Sequence, residues 1–254
     1  MRNYRIFLKK ELVEYFKTYK LILLVLIFAI FGITNPLLAK LTPVILEKFA
    51  ESGAKITLPE PTAIDAWMQF FKNATQMGLI ILVIIFSGIL ATEQAKGTLI
   101  NLLTKGLSRT SVVLAKYTAM LIAWSGSLLL CFALSYGYTK FLFPGKLPKL
   151  LVFAVFCLWL FGAFLLAMLL FFAVLSNTHY GSMIGTGIVI MLEMLINMLP
   201  KVKIWNPLSL VNRNMELVRN QIAKEALFKS LGLTTALTII LVVMAVMVFK
   251  KKKL

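Results

Sequence analysis

Charged residues are scarce in this chain of 254 residues, since Asp, Glu, Lys and Arg together make up 15% of it. A soluble domain carries about a quarter. Hydrophobic side chains make up 60%, which is more than one water-soluble core of this size can bury. The composition excludes a soluble globular protein, and the abundance of Phe, Leu and Ile excludes a disordered one. We therefore expect an integral membrane protein.

Residues that perform chemistry are also few. The single histidine, His179, excludes a His-rich metal site, and neither H-E-x-x-H nor a Ser-His-Asp set can be assembled. The two cysteines, Cys131 and Cys157, lie in apolar runs, where free Cys behaves as a small hydrophobic residue. The sequence has no phosphate-cradling G-x-x-x-x-G-K-S/T loop. We expect no enzyme activity, no metal site and no cofactor in this chain.

Acidic residues number only 10 against 27 Lys and Arg, which gives a formal net charge of +17. In a soluble protein such an excess suggests binding to nucleic acid. Here the basic residues flank apolar runs, where they meet lipid headgroups. We expect membrane lipid, and not nucleic acid, to be the partner of these charges.

Stretches free of charged residues predict the membrane spans, because a crossing helix needs about 20 apolar residues. One such run, 150–192, would be about 65 Å long as a single helix, roughly twice the thickness of the hydrocarbon core. It must therefore turn back, and the polar string 176–181 is the place for the turn. The prediction is an all-α protein, a single transmembrane domain over 1–254, with spans at 21–39, 73–92, 117–137, 150–175, 181–199 and 231–249.

Six spans place both termini on the same side of the membrane. The counts of basic residues on the two sides are nearly equal, but lysines crowd the first span and follow the last one. We expect a multi-pass protein of the cell membrane, taken as a bacterial plasma membrane, with both termini in the cytoplasm.

The segments before and between the spans have patterns of their own. Residues 2–17 predict an amphipathic helix, either lying in the membrane interface or serving as a basic anchor, with its apolar face formed by Tyr4, Leu8, Leu12, Tyr15 and Phe16. Turn signals at 42–43, 52–53 and 59–61 predict an irregular connection over 40–72. Residues 208–229 predict an amphipathic helix at the outer surface, before the last span.

The connection after the second span predicts a compact helix-turn-helix of mixed polarity. On physical grounds it fits a docking surface for a soluble partner and equally a solvated connector. Its pattern is Glu-x-x-x-Gly-Thr-Leu-x-x-Leu-Leu-x-x-x-x-Ser-Arg, followed by a lysine near the next span, and it falls on Glu93, Gly97, Thr98, Leu99, Leu102, Leu103, Ser108, Arg109 and Lys116.

This pattern, together with the layout of six spans across the whole chain, resembles the permeases of ABC-2-type transporters. The chain departs from many relatives at 105–107, where they have a proline in the turn. The resemblance implies that the connection is a coupling helix that contacts an ATP-binding cassette ATPase subunit, through Glu93, Lys96, Gly97, Thr98, Leu102, Leu103, Ser108 and Arg109. It further implies that this partner binds ATP and Mg, and that a second permease, a copy or a sister subunit, completes the path. Export of a peptide, drug or lipid is then the expected function.

Glu193 is an acid near the middle of the fifth predicted span, and Asn197 lies one helical turn further on the same face. Because an acid inside the membrane is costly, it should face protein or a water-filled cavity. The pair therefore marks either the substrate path or a hydrogen-bonded contact between helices. Two other functions stay open on the sequence: a secondary transporter driven by an ion gradient, and a non-transporting immunity or scaffold protein of the membrane.

Overall fold

The computed structural model describes residues 2–252 except 50–59, 96, 99–103, 105, 146 and 177. Every regular element in these residues is helical. Six helices are long and apolar enough to cross a membrane: Lys20–Ile45, Ala63–Glu93, Arg109–Leu142, Leu151–Ser176, His179–Asn197 and Lys224–Lys251. We call them the first to the sixth span. The prediction of an all-α protein with six spans is confirmed.

The helices within and between these spans, numbered in chain order, are α1 (Arg2–Lys17), α2 (Lys20–Phe49), α3 (Ala63–Asn73), α4 (Leu79–Phe86), α5 (Ala91–Ala95), α6 (Arg109–Leu142), α7 (Leu151–Ser176), α8 (His179–Asn197), α9 (Pro200–Lys203), α10 (Ser209–Asn212), α11 (Asn214–Val218) and α12 (Phe228–Lys251). A π-helical segment, Ala74–Gly78, joins α3 to α4, and a 3-10 turn, Lys224–Leu227, precedes α12.

The first span is longer than predicted, because α2 runs through Pro36 and Pro43 to Phe49. The turn predicted at Thr42-Pro43 is therefore wrong. A proline lacks the N–H that would bond the carbonyl four residues earlier, so neighbours must satisfy that carbonyl in an apolar environment. For Pro36 this carbonyl belongs to Gly32, and the hydroxyl of Ser135 donates to it at 3.0 Å.

The second and third spans also extend beyond their charge-free windows. The second begins at Ala63 instead of 73, where the Asp65 carboxylate accepts a hydrogen bond from the Thr62 N–H at 2.8 Å and so caps the first turn. The third begins at Arg109 instead of 117, after the Ser108 hydroxyl accepts from the Ser111 N–H at 3.1 Å. Charged residues therefore lie inside both helices, which the window criterion does not allow for.

The turn between the fourth and fifth spans lies where it was predicted. The fourth span ends at Ser176, and the Thr178 hydroxyl accepts from the Gly181 N–H at 3.0 Å to start α8. The single helix predicted over 208–229 is wrong. The chain there forms α10, α11 and the 3-10 turn, and Asn220, with φ of 55°, breaks the helical path after α11.

Contacts at the span ends show which ends lie together. Arg109, at the start of the third span, bonds to Phe249 near the end of the sixth, and Lys116 of the third span contacts Glu93 at the end of the second. His179, at the fourth-to-fifth turn, lies 3.3 Å from Thr92. One end of the bundle therefore contains both described chain ends, the 93–109 connection and this turn. We call it the termini end. Segment 198–227 lies at the opposite end.

The core is one cluster of buried apolar side chains that reaches from end to end. At its middle, the Trp124 ring meets Phe28 edge-on at 5.6 Å, and its indole N–H donates to the Trp159 carbonyl at 3.0 Å. Both cysteines are buried and free, as their apolar surroundings predict.

Candidate functional site

A cluster of charged side chains is buried at the termini end. The Lys116 ammonium lies 3.0 Å from Glu11 Oε2 and 2.8 Å from Glu93 Oε2. The Lys116 and Glu11 side chains are each 1% exposed, and Glu93 is 5% exposed. This cluster joins three elements, α1, the end of the second span and the start of the third. We call Glu11, Glu93 and Lys116, together with Lys10, the ion-pair cluster.

Lys10 closes the cluster on its outer side. Its ammonium lies 3.1 Å from Glu11 Oε1 and 2.5 Å from Glu14 Oε2, and it also donates to Glu93 Oε1. Burial lowers the pKa of Lys10, but attraction by the three carboxylates outweighs burial and raises the pKa well above its usual value. Lys10 therefore carries its charge throughout the physiological range.

Helical spacing on α1 puts the right residues against the bundle. Phe7, Glu11 and Tyr15 follow one another at four-residue intervals, so they share one face, and all three are buried. The Tyr15 ring packs on Phe86 of the second span at 5.3 Å. The sequence correctly predicted the helix and most of its apolar face, since Tyr15 is buried and Tyr4, Leu8 and Leu12 pack against the core. Phe16, which was also assigned to that face, is 60% exposed.

The carboxylates of Glu11, Glu14 and Glu93 lie within 4.8 Å of one another, close enough to share a metal ion. The ammonium groups of Lys10 and Lys116 already lie against them. Burial raises the pKa of the Glu11 carboxyl, although Lys116 opposes the shift. Three carboxylates around two ammonium groups are close to charge balance, so the geometry is that of an ion-pair network.

The connection that carries the predicted coupling residues begins on this cluster. The Glu93 carbonyl accepts a hydrogen bond from the Thr98 hydroxyl at 3.2 Å. Gly97 has φ of 65° and Gly106 has φ of 87°, a left-handed conformation that side chains disfavour. The two glycines allow the chain to turn at each side of the connection. The predicted residues Lys96, Leu102 and Leu103 lie outside the described residues.

Ser108 and Arg109 form the other boundary of the connection. Ser108 caps the third span, and the Arg109 guanidinium donates at 3.0 Å to each of two carbonyls, those of Phe249 and Lys250. It also donates to the Lys252 carbonyl, and the Lys252 ammonium in turn bonds to the Val174 carbonyl. A cation at the carbonyl end of a helix is favourable. Arg109 thereby fixes the start of the third span to the end of the sixth.

Glu193 and Asn197 lie far from this cluster, in the half of the fifth span near the opposite end. The Asn206 amide donates to the Glu193 carbonyl at 2.7 Å, and the Ser209 hydroxyl donates to Asn197 Oδ1 at 3.3 Å. Glu193 is 8% exposed, and within the described residues its Oε2 has no hydrogen-bond partner. The Asn197 side chain therefore contacts the segment after α9, whereas Glu193 contacts it through its backbone carbonyl.

His179 packs against the second span where that span is interrupted between α4 and α5. A Cβ added to Gly88 would lie 1.7 Å from the His179 ring, so only glycine fits beneath the imidazole. The ring Nε2 lies 3.3 Å from the Thr92 hydroxyl. The sequence predicted a solvated or interfacial polar residue here, and the ring is in fact exposed.

Sequence reasoning missed Glu11 and Lys10. The signal that could have identified Glu11 is an acid four residues from an aromatic residue on each side, Phe7 and Tyr15, on a mostly basic helix. Lys116 belonged to the motif, but only the fold shows that it bridges Glu93 to α1.

The family model that matches the chain, over residues 44–254, is described as a protein of unknown function (DUF2705). No curated protein matches the chain. Glu93, Lys116 and Arg109 lie inside the matched region, and α1 with Glu11 precedes it.

Proposed function

The chain belongs to the DUF2705 family, and we propose that it is the membrane-spanning subunit of an ATP-binding cassette transporter. In this proposal it exports a hydrophobic or amphipathic substrate, such as a peptide, a drug or a lipid, and a separate subunit binds Mg and hydrolyses ATP. A second permease, either a copy or a sister subunit, completes the translocation path.

The observation that carries the proposal is the buried ion-pair cluster beneath the 93–109 connection. Removing one partner of a buried ion pair leaves an uncompensated charge and is costly, so the members move together. A force applied to the connection acts on Glu93 and reaches α1 and the third span through Lys116. A docking segment that moves membrane helices requires such a rigid attachment, whereas a solvated connector does not.

The Arg109 contacts extend the same path. Through its bonds to the carbonyls of Phe249 and Lys250, movement of the connection also reaches the end of the sixth span. The connection is thereby attached at two points. Glu93 joins the second span to the third, and Arg109 joins the third span to the sixth. A docked ATPase that closed on the connection would pull on both attachments at once.

In the proposal, the connection lies in the cytoplasm, as the resemblance to ABC-2-type permeases implies. The bundle supports this orientation, because basic residues gather at the termini end, in α1 and at the end of α12. The sequence has no nucleotide-binding loop. In the proposal, ATP hydrolysis therefore belongs to a partner subunit that docks on this end.

The test is ATP hydrolysis by the complex purified through a tag on this chain, in mild detergent, from its native membranes. We expect Mg-dependent hydrolysis with the unaltered chain. Gly97→Pro, which cannot adopt φ of 65°, should abolish co-purified hydrolysis by displacing the connection. Glu93→Gln should retain the partner but reduce stimulation of hydrolysis by substrate, since the attachment to Lys116 is weakened.

Gly145→Pro is the matched control, because Gly145 lies in the connection between the third and fourth spans at the opposite end. It should leave hydrolysis unchanged. The proposal is wrong if no ATPase accompanies the unaltered chain, or if Gly97→Pro and Gly145→Pro retain the same activity.

A further inference from the structure

A groove along the second span, bounded on its other side by the fifth span and by α10 and α11, has two connected parts of different polarity. The first is a cavity of about 450 Å³ near the opposite end, with Gln69, Lys72, Thr75 and Gln76 among its lining residues. The second is a cavity of about 580 Å³ that continues along the spans toward the middle of the bundle. The two share Thr75 and Gln76 of the second span and Val211 and Asn212 of α10.

The second cavity is mainly apolar, and side chains of three membrane-spanning helices, the second, fourth and fifth spans, line it. Leu79, Val83 and Ile84 line it from the second span, and Gly187, Ile190 and Met194 line it from the fifth. Its volume lies within the range of about 300–1,000 Å³ that is usual for ligand pockets. The polar side chains that line this cavity lie at the end that joins the first cavity, with the exception of Thr186. The Thr186 hydroxyl donates to the Ser182 carbonyl at 2.8 Å.

The π-helical segment Ala74–Gly78 lies at the junction of the two cavities. The Leu79 N–H bonds to the Ala74 carbonyl five residues earlier, so the helix carries one extra residue in this turn. That turn bears both Thr75 and Gln76, which line both cavities. The Thr75 hydroxyl is buried and lacks a hydrogen-bond partner among the described residues. A buried polar group without a partner is costly, and a ligand with an acceptor atom at the junction would satisfy it.

The charge near the polar cavity is positive. Lys72 lines it, and the Arg219 guanidinium contacts Met68, which also lines it, at 3.0 Å. Among the described residues, no acidic side chain lines either cavity. The nearby Asp65 carboxylate is bonded to the Thr62 hydroxyl and N–H, each at 2.8 Å. We therefore expect a ligand of the polar cavity to carry an anionic group.

We propose that this groove binds an anionic single-chain amphiphile drawn from the bilayer, with its headgroup between Lys72 and Thr75 and its chain along the second and fifth spans. A second copy of the protein fits less well, because an apolar span laid over the groove would bury the Lys72 charge without a counter-charge. That this amphiphile is the exported substrate rests on the proposed function, whereas its binding does not.

The probe is palmitate that carries a photoactivatable diazirine on its chain, presented to the full-length protein in nanodiscs of neutral phosphatidylcholine. The control probe is the alcohol of the same chain, which lacks the charge. We expect saturable crosslinking of palmitate to the second and fifth spans, read by peptide mass spectrometry, and at least about fivefold weaker crosslinking of the alcohol, the effect of one basic group on an anion near the membrane surface.

Two pairs of variants locate the site. Gly187→Phe fills the apolar cavity, and Gly126→Phe is its control, because an added Cβ meets nothing within 4 Å at either glycine while Gly126 lines neither cavity. Lys72→Gln removes the charge at the polar cavity, and Lys140→Gln removes an exposed lysine at the same end of the bundle. Crosslinking should fall at least tenfold in Gly187→Phe, about fivefold in Lys72→Gln, and remain unchanged in both controls.

Equal labelling by both probes, or labelling that is unchanged in Gly187→Phe and Lys72→Gln, overturns the proposal. Crosslinks between two copies of the chain across the groove overturn it as well, since they identify another occupant. Because the assay contains no ATPase, binding can be found even where the proposed transport function fails. If the protein transports a substrate with ATP but the probe does not label the groove, the binding inference is wrong and the proposed function is unaffected.

Discussion

At the termini end of the bundle, charged side chains are buried against one another, as in the contacts of Lys116 with Glu11 and Glu93. At the opposite end, buried contacts between elements include hydrogen bonds of uncharged groups, as where the Ser230 hydroxyl donates to the Ile204 carbonyl at 2.8 Å. The ion pair found there, Arg213 with Glu216, lies at the surface, with the two side chains 20% and 38% exposed.

The two ends are therefore suited to different tasks. Buried ion pairs demand fixed geometry, because every lost contact leaves a desolvated charge. Uncharged hydrogen bonds inside a membrane protein contribute about 0.6 kcal/mol on average and can be exchanged at little cost. A stiff termini end suits transmission of force from a docked partner, and an adaptable opposite end beside an open groove suits entry of a ligand.

The largest expected effect is all-or-none and concerns which side each end faces. Single cysteines at Glu60, Ser108 and Gln221, all exposed, in a background with Cys131→Ala and Cys157→Ala, are treated with a membrane-impermeant thiol reagent on intact cells. We expect labelling at positions 60 and 221 and protection at 108, which becomes labelled once the cells are opened. Labelling at 108 alone in intact cells would mean that the termini end faces outward, where no cytoplasmic ATPase can reach it.

Lys116→Met should have the largest effect on stability. It removes the buried cation that contacts both the Glu11 and Glu93 carboxylates and leaves Lys10 alone to compensate them, at a cost of about 3–5 kcal/mol. Thermal unfolding in detergent, followed by circular dichroism, measures the loss. Lys140→Met, at an exposed position of the same helix near the opposite end, should change stability by less than about 0.5 kcal/mol. Similar losses in the two variants would remove the distinction between the ends.

Arg109→Ala comes next, because it leaves the carbonyls of Phe249 and Lys250 without their charged donor. Hydrogen bonds to charged groups contribute about 1.5–3 kcal/mol, and we expect a loss of that size in the same unfolding assay. Arg213→Ala removes the surface pair at the opposite end and should cost about 0–1 kcal/mol. If the second variant proves the more damaging, the roles of the two ends are reversed.

The smallest effect is expected for the bond between the first two spans, where the Asn73 amide donates to Asn35 Oδ1 at 2.6 Å. A double-mutant cycle with Asn35→Ala and Asn73→Ala should give a coupling energy of about 0.6 kcal/mol, the average for hydrogen bonds between membrane helices. The corresponding cycle on Glu93→Gln and Lys116→Met should give a clearly larger value. Equal coupling energies would show that burial of charge adds no rigidity at the termini end.

Composition and charge-free windows were enough to predict the number of spans and the turn within 176–181, and the helical spacing of apolar residues over 2–17 predicted α1. Span boundaries were less accurate, because a charged residue inside a helix closes the window without ending the helix, as Lys72 and Lys116 do. The first span was predicted through Pro36 to residue 39, but its continuation through Pro43 to Phe49 was missed, because Thr42-Pro43 was taken as a turn signal. The donor to the carbonyl that Pro36 frees, Ser135, belongs to another span and could not be predicted from this segment.

The candidate site was predictable only in part. Glu93 and Arg109 were identified through the motif, and their local roles, at a helix end and at a helix start, follow from neighbouring residues. Glu193 was identified as a costly acid in a span, but the partner of its backbone, Asn206, becomes visible only when the chain folds back on the fifth span. Nothing in the spacing indicated that Thr75 would lie at the junction of two cavities.

The sequence alone determined that the chain is a membrane protein, that it has six helical spans and that both ends lie on one side. These properties depend on whether each segment is apolar enough to lie in lipid, and the side chains of the segment itself determine that. Tertiary structure decided that Lys116 meets Glu11, 105 residues away, and that a groove opens beside a π-helical turn. Such contacts depend on which helix faces pack together, and several packings satisfy the same hydrophobic pattern, so only the folded chain selects among them.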